Sequence, residues 1–144
     1  FESRGLGDVY KRQVIKILDN NKNKTFSDLY DGLPTTFSSP TMSPKCPDEV
    51  KYEIIEKIEK IFKNKKINNN LIAGQRIISV LTVNGVRVEL EDGSWGLIRA
   101  SSNSPNLVVV CESLESKEKM KKIFSELNCV LSEFNEIGDY DQKI

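Results

Sequence analysis

Arg99, Ser101, Ser102, Asn103 and Ser104 stand together in the stretch WGLIRASSNSP. The guanidinium of Arg99 is a planar fork of fixed charge that matches two phosphate oxygens at once. The serine hydroxyls rotate to donate where needed, and Asn103 adds two amide donors. Small side chains also let backbone N–H groups converge on an anion. A phosphate monoester, with a charge of roughly −1.5 to −2 and three acceptor oxygens, suits such a set. The same residue types are ordinary turn formers, so a polar hairpin loop is the alternative that composition leaves open. The chain contains no histidine, which removes the usual carrier of acid–base chemistry near neutral pH.

The elements that must position this loop can be read on either side of it. Val86–Leu90 alternates apolar Val86, Val88 and Leu90 with Arg87 and Glu89, so one sheet face is apolar and the other wet. Ile77–Val83 and Val86–Leu90 flank Asn84-Gly85, which predicts a hairpin with a type I′ turn. Glu91-Asp92-Gly93 is a second turn, Trp95–Ala100 a third strand and Leu107–Glu112 a fourth. Short connections make these an antiparallel meander. Upstream, Pro47–Asn64 carries Val50, Ile54, Ile58, Ile61 and Phe62 on one helical stripe. Pro47 suits a first helical position, with Asp48 and Glu49 where the dipole favours negative charge. Downstream, Ser116 caps a helix to about Phe134, whose stripe is Met120, Ile123, Phe124, Leu127, Leu131 and Phe134. The expected fold is a two-layer α+β domain, a four-stranded antiparallel meander with two helices on one face.

Before this domain, Val14–Asn21 reads as the end of an amphipathic helix and Thr25–Leu33 as another short helix. The Pro/Ser/Thr-rich stretch LPTTFSSPTMSPKCP is either a linker or an extended edge strand. The tail NEIGDYDQKI is polar and expected to fray. At the N-terminus, SRGLGDVYKRQ (Ser3–Gln13) fits the translation of a transposase-based sequencing adaptor in one frame. Residues 1–13 are therefore set aside as an artefact. The remaining boundaries are 14–33 as a helical remnant of a preceding domain, 34–135 as the main domain and 136–144 as the tail.

Bulk properties narrow the classes. Lys+Arg and Asp+Glu both number 21, so the formal net charge is zero over 144 residues. Nothing draws the whole molecule to nucleic acid or to an anionic membrane, and any anion site must be local. Cys46, Cys111 and Cys129 form no C-x-x-C pair and have no histidine partners, which disfavours a disulfide framework or a zinc site. A reducing, cytoplasmic setting is expected, with no apolar run of membrane-spanning length and no signal peptide.

The segment NGVRVELEDGSWGLIRASSNSPNLVVVCES resembles the last domain of the α-D-phosphohexomutases, most closely the bacterial phosphomannomutase/phosphoglucomutase group. There the order is D-G-V-R, a strand, W-G-L-V-R-A-S-N-T-x-P and an apolar strand. Upstream, SSPTMSPKCPDEVKYEIIEKI resembles that family's S-T-P-E-x region and D-E-x-K-F helix. The resemblance runs from about Val14 to Phe134. It implies that the loop grips the phosphate of the sugar that is not reacting, through Arg99, Ser101, Ser102 and Asn103. Ser102 stands where the family commonly has Asn, and Asn103 where it has Thr; both still donate. Relatives specific for glucosamine phosphate carry R-P-S-G-T-E-P here, from which Ala100 and Ser102 depart.

For a full-length enzyme the resemblance implies an isomerase that moves a phosphoryl group between C6 and C1 of mannose or glucose phosphate. A hexose 1,6-bisphosphate intermediate and Mg2+ are the implied cofactors. The implied partners are a hexose phosphate and the upstream domains of the same chain, with neither nucleic acid nor membrane. The T-A-S-H-N-P and D-G-D-G-D motifs of the catalytic domains do not occur in this sequence, so these residues alone are expected to be inactive and to bind no cofactor. The rival class is a stand-alone phosphate- or nucleic-acid-binding module, since the same layout resembles the TATA-box-binding protein. A nucleic-acid binder would need basic and aromatic residues on its open sheet face. Trp95 is expected in the core or as a loop support, Arg87 facing water, and Cys111 buried and inert.

Overall fold

A computed structural model describes residues 4–144. Residues 1–3, part of the stretch assigned to the adaptor, lie outside the described residues. The chain divides into two compact units, Phe1–Thr35 and Thr36–Ile144. The first contains α1 (Arg4–Asn20) and α2 (Phe26–Asp31). α1 is one continuous helix where only its last turns, from Val14, were expected. Thr25 and Asp28 close a reciprocal capping box at the start of α2. Ile15, Phe26 and Tyr30 are exposed, and no α2 residue is buried.

The second unit contains β1 (Phe37–Ser38), α3 (Lys51–Ile67), β2 (Leu71–Ile72), β3 (Gln75–Leu81), β4 (Val86–Leu90), β5 (Trp95–Ala100), β6 (Leu107–Ser113) and α4 (Lys117–Leu131). Its sheet has six strands rather than four, in the order β1-β6-β5-β4-β3-β2, and every pairing is antiparallel. The expected meander is its centre. A two-residue strand is added at each edge, too short for alternation to show. The Pro/Ser/Thr-rich stretch is thus an extended edge, continued by single bridges from Met42 to Val109 and from Lys45 to Asn106.

The turns differ from expectation in an informative way. Asn84 does not take positive φ; Gly85 alone does, at 100°, so residues 82–85 form a longer connection and not a two-residue type I′ turn. Both central residues are positive at Ala73-Gly74 instead, between β2 and β3 (φ 49° and 79°), the pattern a type I′ hairpin requires.

One core joins both helices to the sheet. Ile54, Ile55, Ile58 and Phe62 of α3 meet Met120, Ile123, Phe124, Leu127, Val130 and Leu131 of α4 in a single buried cluster with Val86, Val88, Leu90, Ile98, Val109 and Cys111. Burial pushes the Cys111 thiol up to about 12, so it stays protonated and inert. α4 approaches β5 at Gly96, where a Cβ would lie 2.7 Å from Leu127 Cδ1. Trp95 is consequently not in the core. It faces the opposite side, half-buried, and its indole N–H donates to Glu112 Oε1 at 3.2 Å. Arg87 lies over that ring at 4.7 Å and pairs with Glu89 at 3.3 Å, so the open face is held by its own charges.

The start of α4 is pinned twice. Ser116 Oγ accepts from the Lys119 N–H at 3.1 Å, and the buried Lys119 ammonium sits 2.6 Å from both Asp92 and Glu115. Burial is the largest influence on the Asp92 carboxyl and pushes its pKa up. The hydrogen bonds from Lys119 and Ser94 outweigh it, and the group ends below its ordinary value. Its stabilising share is present near neutral pH and is lost as pH falls through that lowered pKa. Ser116→Ala is expected to cost about 1 kcal/mol, seen as a lower urea midpoint at unchanged slope.

Residues 138–142 of the tail, expected to fray, are hydrogen-bonded to the edge segment. Lys45 N–H donates to Asp139 O and Gly138 N–H to Lys45 O. The Asp141 carboxylate accepts from Ser43 N–H at 2.6 Å, and Tyr140 packs edge-on to Phe124. Among the described residues, no helix is long and apolar enough to cross a membrane.

Candidate functional site

The loop Ser101–Asn106 joins β5 to β6, and the sheet delivers Arg99 to its mouth. Arg99 pairs with Val108 across the hairpin and alternates to the open face with Trp95 and Leu97. Its position depends on the next strand. The start of β4 runs so close that a Cβ on Gly85 would lie 2.4 Å from Arg99 Cβ and 2.5 Å from Ile98 O. Among the described residues, the Arg99 guanidinium makes one hydrogen bond, from Nη1 to the Ala100 carbonyl at 3.2 Å. No carboxylate is paired with it there, so its charge is available to an external anion.

The loop is braced from within. Ser101 N–H donates to Asn106 O at 3.0 Å and Asn106 N–H to Ser104 O at 2.8 Å. The Ser101 and Ser104 hydroxyls are 2.9 Å apart, and Asn103 N–H reaches Ser101 Oγ at 3.4 Å. Ser102 Oγ donates to Asn103 Oδ1 at 3.2 Å, and both side chains are exposed. Ser101, Ser102, Asn103 and Arg99 are therefore gathered at one end of the hairpin. Ser102 and Asn103 are exposed, and the half-buried Ser101 and Ser104 are the braces.

One residue was missed by sequence reasoning. Lys51, in the first turn of α3, is only 4% exposed. Its ammonium donates to Ser101 O at 2.5 Å, to Ser104 O at 3.2 Å and to Asp48 Oδ1 at 2.5 Å. The helix begins here and not at Pro47. Residues 47–50 form a turn in which Val50 and Lys51 N–H both reach Pro47 O, which frees Asp48 to pair with Lys51 instead of serving the helix dipole. The segment before it is tied to the loop as well, by Cys46 N–H to Pro105 O and Leu107 N–H to Pro44 O.

A cleft of about 510 Å³ lies beyond the loop's far end, lined by Lys45, Cys46, Pro47, Pro105 and the carboxylates Asp48, Glu49 and Glu136. Its three carboxylates outweigh the single ammonium of Lys45, which makes it a poor anion site, and neither Arg99 nor Ser101 lines it. The magnesium that the resemblance implies does not fit here either: among the described residues, no group of three or more His, Cys, Asp or Glu side chains is placed to hold a metal ion.

Fold and loop together define a two-layer α+β domain that presents an arginine and a run of short donors at one end of its sheet. Residues 44–128 match the C-terminal domain of phosphoglucomutase/phosphomannomutase, and the chain belongs to that family. It is 33% identical over 106 residues to a phosphopentomutase of Thermococcus kodakarensis, covering 74% of this chain and 21% of that protein. It is 33% identical over 96 residues to a phosphomannomutase/phosphoglucomutase of Pseudomonas syringae, covering 67% of this chain and 18% of that one. Among solved structures, a phosphoglucomutase/phosphomannomutase family protein from Burkholderia thailandensis superposes with a TM-score of 0.53 at 25% identity, over 73% of this chain and 19% of its own. The chain thus spans about a fifth of the length of the relatives it matches.

Proposed function

We propose that the Thr36–Ile144 unit is the phosphate-gripping domain of a sugar-phosphate mutase, in which Arg99, Ser101, Ser102 and Asn103 hold the phosphate remote from the reacting end. The observation that carries this reading is an arginine with no acid partner among the described residues, held at the mouth of a braced loop of short donors. The domain's part in the reaction is positional. Binding energy from the remote phosphate orients the reacting end, and orientation supplies much of the barrier reduction in phosphoryl transfer. The loop reads phosphate and not sugar, which suits a bisphosphate that must present either end to the same site.

The full enzyme would interconvert C6 and C1 phosphates of mannose or glucose through a 1,6-bisphosphate. Its phosphorylated serine and its Mg2+ site would lie in upstream domains, and residues 14–33 would close the domain before this one. The exposed Ile15, Phe26 and Tyr30 favour that assignment, since apolar surface of this kind normally has a partner. A second reading, a pentose phosphate, is favoured by the phosphopentomutase relative.

The test is to titrate the chain with inorganic phosphate and with glucose 6-phosphate while following the backbone amides by NMR. Saturable shifts confined to residues 99–106 are expected, with a Kd of about 1 mM, equivalent to about −4 kcal/mol. Ribose 5-phosphate should bind as glucose 6-phosphate does, and unphosphorylated glucose should not bind. Shifts centred on the cleft beside Glu136, or none at 99–106, would refute the assignment.

A further inference from the structure

We infer that Lys51 is the positioning residue of the phosphate loop, acting from beneath through the backbone; this rests on the loop's reading as a phosphate site. Burying an ammonium is costly unless each of its donors is satisfied. Lys51 meets that requirement with Asp48 and two main-chain carbonyls of the loop. A charge of this kind adds little to stability over a well-packed apolar side chain, so the fold by itself gives no reason for a lysine here.

The loop does. The carbonyls of Ser101 and Ser104 bracket Ser102 and Asn103. Drawing both onto one ammonium turns the carbonyl dipoles of the loop inward at its two ends. Carbonyl oxygens are what an approaching phosphate must not meet, and Lys51 keeps these two occupied. The ammonium, paired with Asp48 at 2.5 Å, lies under the loop that follows Arg99, in a site too dry for salt to screen it well. Asp48 links the ammonium to the turn before α3, so the loop is tied to the helix layer and not only to its own hairpin.

Phosphate affinity and loop amide shifts would be measured in wild type, Lys51→Met, Lys51→Arg and Arg99→Ala, at a temperature where each is folded. Lys51→Met keeps most of the stem and removes the donors. It is expected to move the Ser101–Asn106 amides before any ligand is added and to weaken phosphate binding about tenfold. Lys51→Arg should recover part of the affinity. In the wild-type chain, the Lys51 Nζ resonance should shift in step with the loop amides as phosphate is added, a readout that needs no variant to fold. Wild-type affinity and unmoved loop amides in Lys51→Met, or an Nζ signal indifferent to phosphate, would overturn the inference. Arg99→Ala separates the two levels. If that variant binds phosphate as wild type does, the phosphate reading fails; if it loses binding while Lys51→Met keeps it, only the role of Lys51 fails.

Discussion

Arg99→Ala in a full-length mutase carrying this domain is expected to lower kcat/KM by about a hundredfold or more, with folding nearly intact. The size follows from charge-assisted bidentate bonds to phosphate being lost at a group whose binding energy orients the reacting end. That folding survives follows from the surroundings. The Arg99 guanidinium holds one carbonyl at 3.2 Å, and its side chain lies outside the buried cluster. In the present chain the same substitution should abolish the phosphate-induced shifts of residues 99–106, while the denaturant midpoint moves by about 0.5 kcal/mol or less. An unchanged kcat/KM would remove Arg99 from the site.

The second large effect is structural and sits one strand away. Gly85→Ala is expected to destabilise the unit by about 3 kcal/mol, from a positive φ that side chains disfavour and a Cβ driven into neighbouring backbone. The clash is with Arg99 Cα and Cβ and Ile98 O, all within 2.7 Å of the added atom, and these atoms cannot rotate away. The melting temperature should fall by roughly 10 °C or more, and because the displaced strand carries Arg99, phosphate binding should weaken in whatever fraction remains folded. Asn84→Ala is the control. A type I′ turn would penalise it, but Asn84 is not at positive φ, so a change within about 0.5 kcal/mol is expected.

How far the sequence could be read depended on what each element asks of its residues. β4 and β5 were bounded correctly, because Val86, Val88 and Leu90 alternate and Glu91-Asp92-Gly93 interrupts them. α4 was legible from the Ser116 cap and a stripe whose members are buried or packed against the core. β1 and β2 were not, since two residues hold no period, and an alanine at positive φ gives no turn signal at Ala73. Trp95 was expected in the core or as a loop support because tryptophan is usually buried, although the glycine beside it is the residue that α4 presses against. Within the site, Arg99 and the serines stood out because they cluster in sequence. Lys51 lies fifty residues from Ser101, and a lysine near a helix start reads as a solvent-facing charge. Only the D-E-x-K-F resemblance touched it, and that pattern carries no sign that the ammonium turns inward.

The pairing of residues 41–46 with residues 138–142 bears on how the domain is made. That edge segment bonds to β6 on one side and to residues 138–142 on the other. The Ser43–Asp141 bond alone spans 98 residues. During synthesis, a chain still lacking residues 138–142 has this flank of the sheet unsealed. Contacts of such long sequence separation are slow to form, and during synthesis they cannot form before residues 138–142 have been made. The segment that carries Lys51 into place is therefore among the last parts of the domain to settle, so a nascent or C-terminally clipped chain would hold its sheet before it holds a finished anion site.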